Sequence, residues 1–98
     1  MNIGSLTHKY ISTNATTVVK SSAGFLHSIT IGTAGASANT ITVYDNTAGE
    51  GTVIAVLDGV TGALSGAPVN FVFDVCFKTG LTIVTATGTA AKITVSYN

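Results

Sequence analysis

The chain has 98 residues, enough for one domain and too few for two. Only 8% of them are charged, against about 25% in an ordinary soluble domain, and the net charge is zero. Lys9, Lys20, Lys78 and Lys92 are scattered singly and Arg is absent, which argues against a nucleic-acid partner, since phosphate recognition needs clustered cations.

The opening stretch MNIGSLTHKY lacks the basic start and apolar run of a signal peptide, and no apolar segment approaches the roughly 20 residues of a membrane helix. Synthesis in the cytoplasm, with no membrane partner, is the expectation. Residues 1–10 are read as an N-terminal arm that orders on a neighbour, and 11–98 as the single domain. Thr, Val, Ile and aromatic residues fill the periodic segments, and no window shows helical apolar spacing. Strands are expected near Lys9–Ser12, Thr16–Ser21, Gly24–Gly32, Thr40–Asn46, Thr52–Asp58, Val69–Lys78, Leu81–Ala86 and Ala91–Tyr97. About eight short strands make an all-β antiparallel sandwich or small barrel.

Alternation assigns the faces. Phe25, Ile29 and Ile31, Ile41 and Val43, Val69 through Phe77, Leu81 and Ile83, and Ile93, Val95 and Tyr97 form apolar sides, while the opposite sides are rich in Thr. Phe25, Phe71, Phe73 and Phe77 are expected in the core. The reverse side of VNFVFDVCFK carries Val72, Asp74, Cys76 and Lys78, neither apolar enough for a core nor charged enough for water. Asp74 and Lys78 stand about 13 Å apart along a strand, too far to pair with each other. Of the connections, Lys78–Gly80 and Thr87–Ala91 read as tight hairpin links, and Asp58–Pro68, the longest, as a crossover between sheets.

No constellation for catalysis emerges, and no enzyme is expected. His27 lies on the apolar parity between Phe25 and Ile29, which suits a hydrogen-bonded, half-buried or interface imidazole better than a base. Serines lack a nucleophile elbow. Asp45, Glu50 and Asp58 flank loops without calcium-loop spacing, and an Asp at a strand end bonds its own backbone. Cys76, the sole cysteine, excludes an intrachain disulfide and reads as an inert packing residue. Asn14-Ala15-Thr16 matches a glycosylation sequon by coincidence, and no metal or cofactor is implied.

The segments SSAGFLHSITIGTAGASANTITVYDN (Ser21 to Asn46), GTVIAVLDG and FDVCFKTGLTIVTATGTAAKITVSYN (Phe73 to Asn98) resemble small virion structural proteins of tailed bacteriophages, and above all capsid decoration, or cement, proteins. The similarity covers most of the chain after about Val19. It implies β-sandwich or jelly-roll subunits forming a homotrimer on the capsid exterior and reinforcing the major capsid protein lattice. On that reading Val72, Asp74, Cys76 and Lys78 make subunit contacts, and the N-terminal residues Met1, Asn2, Ile3, Leu6, His8 and Tyr10 touch the capsid. The alternative is a sandwich module of a head fibre or tail receptor-binding structure that recognises a host glycan.

Overall fold

Alternating apolar residues, bounded by Gly and Asn, place β-structure where one strand face can be buried. In the computed structural model, which describes residues 5–60 and 68–98, the strands are β1 (Thr7–Ile11), β2 (Thr16–Lys20), β3 (Gly24–Thr33), β4 (Thr40–Asp45), β5 (Thr52–Asp58), β6 (Val69–Phe77), β7 (Leu81–Ala86) and β8 (Lys92–Tyr97). Each end falls within two residues of the sequence expectation. Two four-stranded antiparallel sheets result, ordered β1-β8-β3-β6 and β2-β7-β4-β5. This is the strand order of a jelly roll, a β-sandwich wound from Greek keys.

Only β4 and β5 are consecutive strands that also pair within one sheet; every other connection passes from one sheet to the other. Lys78–Gly80 and the link from β7 to β8 are therefore arches between sheets, and the hairpin reading of both is corrected. Facing sheets lie about 10 Å apart, a distance three extended residues can span, so a short link does not distinguish the two geometries. The crossover expected between Asp58 and Pro68 does join the two sheets, although residues 61–67 lie outside the described residues. Residues 7–10, expected in an arm, belong to β1, which pairs with β8 from Thr7↔Tyr97 to Ile11↔Ile93. The strand expected from Lys9 thus begins two residues earlier, at Thr7.

The core lies between the sheets and contains Leu26, Ile29, Ile31, Ile41, Val43, Phe77, Leu81, Ile83, Ile93 and Val95, all essentially inaccessible. Each such side chain contributes roughly 1.5–3 kcal/mol. Phe71 and Phe73 pack against this cluster while remaining partly exposed, because β6 is an edge strand. Phe25 is the exception. The ladder slips at His27: from Leu26 to Ser28 β3 takes two steps while β8 takes one, Tyr97 to Ser96, and β6 takes three, Val75 to Val72. This bulge shifts the inward parity of β3 from Leu26 to Ile29 and Ile31, leaving Phe25 opposite Cys76 on the outer face.

Candidate interaction surface

Strand β6 bonds β3 on one side and, among the described residues, has no strand on the other. Its outward residues follow from the register: Val72 lies opposite Ser28 and Cys76 opposite Phe25. Val72 is 59% exposed, and Asp74, Cys76 and Lys78 are exposed as well. Cys76 is thus a surface residue rather than the packing residue expected. It borders an open depression of about 410 Å³ with Lys20, Ala23, Gly24, Phe25 and Asn98. Asp74 has a left-handed φ of 51° and its Oδ1 lies 2.5 Å from Nδ1 of His27, across the bulge. His27 is accordingly half-buried and hydrogen-bonded. The bond spans the point where the ladder slips.

Of the residues assigned to a capsid contact, His8 and Tyr10 are exposed on β1 and Leu6 is half-buried just before it. Met1, Asn2 and Ile3 lie outside the described residues.

The outer face of the second sheet is less polar than its Thr content suggested. The pairings Val18↔Thr82, Thr82↔Tyr44 and Tyr44↔Val53 form one row, and Thr16↔Val84, Val84↔Thr42 and Thr42↔Val56 the next. Neither row contains a Lys, Asp, Glu or His. Residues 46–51 fold back over part of this face, where a Cβ on Gly49 would stand 2.8 Å from a Val84 methyl. Val53 and Val56, 49% and 62% exposed, were missed from sequence because the pairing skips Ile54, so β5 shows no clean alternation.

The remaining polar residues are structural ties. Asp45, expected to bond its own backbone, instead accepts the N–H groups of Lys78 (2.9 and 3.0 Å), Thr79 (2.9 Å) and Gly80 (3.4 Å) from the arch between β6 and β7. The Lys78 and then the Thr79 N–H hold its carboxyl below the usual range against the opposing effect of burial, with smaller help from the Gly80 N–H and the Lys78 charge. Asp58 does bond its own turn, accepting from Val60 N–H at 2.9 Å. It lines a second open depression of about 400 Å³ with Ala38, Asn39, Thr40, Val56, Leu57 and Val60. The Asn14 amide is engaged within the fold, donating to Gly88 O and accepting from Asn39. Among the described residues no three His, Cys, Asp or Glu side chains gather to hold a metal ion.

Neither depression assembles convergent acid, base and nucleophile, so the distinctive chemistry of this molecule is a broad surface of Thr and Val with little charge. Comparisons with protein-family models, with curated proteins and with solved structures find no match.

Proposed function

We propose that the chain is a non-enzymatic virion structural protein of a tailed bacteriophage, a capsid decoration protein that binds the major capsid protein lattice as a homotrimer and stabilises the head. The observation that carries this reading is the outer face of β2-β7-β4-β5, where two adjoining cross-strand rows of Thr, Val and Tyr hold no acid, lysine or histidine and Asp58 stands only in the end row Ala86↔Thr40↔Asp58. Covering those two rows desolvates hydroxyls that can be re-bonded, and it strands no charge. The phage-like segments that suggest the family form β3, β4 and β5, the second half of β6, and β7 and β8, the framework of the sandwich. A subunit that binds the assembled shell and not its dissociated parts stabilises the shell by mass action.

Tyr10, 56% exposed on an edge strand, is the feature that favours the second reading, a fibre or tail module stacking on a host glycan. Quantitative mass spectrometry of purified particles tests both. Decoration predicts copies comparable in number with the major capsid protein, and shells that break at lower temperature when the protein is missing. A few copies, unchanged shells and failed adsorption would replace it with the receptor-binding reading. Absence from particles overturns both.

A further inference from the structure

The four edge strands carry every large apolar side chain that is exposed among the described residues. One side of the sandwich is formed by β1 and β2, which only residues 12–15 separate, and presents Tyr10 and Val18. The opposite side is formed by β6 and β5, the far edges of the same two sheets, and presents Val72, Val75, Val53 and Val56. Part of this exposure is expected of any edge strand, which lacks a neighbour on one flank. Charge is divided as well. The β1 and β2 strands contain Lys9, Lys20 and His8 and no acid, whereas β5 and β6 contain Asp58 and Asp74, with Lys78 the one exposed cation just past the end of β6. Asp74 keeps 49% of its side chain exposed despite its bond to His27.

Strand direction adds a geometric condition. All neighbours in both sheets are antiparallel, and each sheet has four strands, so its two edges run in opposite directions. A copy rotated about an axis parallel to the strands brings its β1 antiparallel to β6 and its β2 antiparallel to β5 in one movement. A twofold arrangement would instead set Asp74 against Asp74, or Lys9 against Lys9, and like charges across an interface are unfavourable.

We propose that copies of this chain associate head to tail, the β1/β2 side of one seated against the β5/β6 side of the next. The contact is heterologous, so it closes into a ring when the rotation divides a full turn and grows into a filament when it does not. The irregularities at Phe73 and Asp74 of β6, opposite His27, and at Ile54 of β5 interrupt the free edges, which confines backbone pairing to short stretches and gives side chains most of the contact. This inference rests on the self-associating virion reading and names the surfaces that reading requires.

The test uses Tyr10→Asp and Val72→Lys, each adding to an exposed position the charge that the opposing side already carries. Thermal melts matching wild type establish that both fold. By sedimentation, each variant alone associates at least about tenfold more weakly than wild type, equivalent to about 1.4 kcal/mol or more. Mixing the two restores association as pairs of one chain each, because the unaltered β5/β6 side of Tyr10→Asp meets the unaltered β1/β2 side of Val72→Lys. A variant that alone keeps the wild-type size, or a mixture that stays monomeric, overturns the head-to-tail contact and leaves the virion reading standing. A wild-type chain monomeric at every concentration also overturns the contact, whereas the virion reading falls only with the particle measurement.

Discussion

The two ends of the sandwich are closed by one side chain each, Asn39 just before β4 and Asp45 at its last residue. Asn39, 1% exposed, donates to Asn14 Oδ1, Ala86 O and Thr87 O at 2.9–3.1 Å and accepts the N–H of Ala91 at 3.1 Å. Its backbone carbonyl also takes the N–H of Gly59. Asp45 is partly exposed and only accepts, from successive N–H groups of Lys78, Thr79 and Gly80. The side chain at each end matches what the facing backbone offers. Carbonyls mixed with an N–H call for a neutral amide, which donates and accepts; a row of N–H groups calls for a carboxylate. One end is therefore tied without charge, and the other by an ionised group.

If the Asn39 end is the deeper tie, Asn39→Leu has the largest effect. The substitution keeps the volume but leaves the buried Ala91 N–H without its acceptor, at roughly 1–3 kcal/mol, and removes a donor from the carbonyls of Ala86 and Thr87, exposed residues where water recovers part of the loss. A total near 2–4 kcal/mol follows, a large share of the roughly 5–15 kcal/mol that holds a domain of this size. Urea midpoints measure it. A loss below about 1 kcal/mol would show that water replaces the amide and that the two ends do not differ in depth.

These ties mark where the sequence stopped being informative. Strand positions were legible because Val, Ile and Thr alternate between Gly- and Asn-containing breaks, and the parity of β4, β7 and β8 gave their core residues directly. Phe25 was misplaced because one extra residue at His27 reverses a two-residue period, and nothing local announces it. The arches were taken for hairpins because length alone does not distinguish crossing a sandwich from turning within a sheet. Asn39 and Asp45 looked like loop punctuation, since their partners lie 52 and 33 residues away for Ala91 and Lys78. The side of β6 that carries Val72, Asp74, Cys76 and Lys78 was legible as distinct from its core side, although Cys76 itself read as a packing residue, and the two uncharged rows of the second sheet needed the register to become visible.

The ionic character of the Asp45 end is sharpened by pH. The folded pKa of Asp45 lies below its ordinary 3.8, so its contribution is complete above that value and disappears as the pH falls through the folded one. Asp45→Asn keeps one acceptor oxygen and loses the charge, costing about 1–2 kcal/mol at pH 7 once partial exposure is allowed for. The gap between wild type and variant should narrow as the pH drops from 5 toward about 2.5, whereas the Asn39→Leu deficit should persist over the same range. Denaturant midpoints taken across the series read both. A gap that stays constant would mean that Asp45 acts through shape and not charge.

The smallest test compares two threonines on β7, one near each end. Thr85, 2% exposed, donates to Thr13 O at 2.6 Å and accepts the Ala15 N–H at 3.1 Å, tying the link between β1 and β2 at the Asn39 end. Thr82, fully buried, only donates, to Asn46 O at 2.7 Å, at the Asp45 end. Replacing either with Val preserves shape and β-propensity, so the difference isolates the hydroxyl. Thr82→Val loses one bond, about 1 kcal/mol. Thr85→Val loses two, but Thr13 and Ala15 are exposed and water recovers part of that, leaving a deficit only about 0.5 kcal/mol larger. Paired denaturation curves resolve this difference; a greater loss from Thr82→Val would reverse the ranking of the two ends and make the loop over the second sheet's outer face the firmer closure.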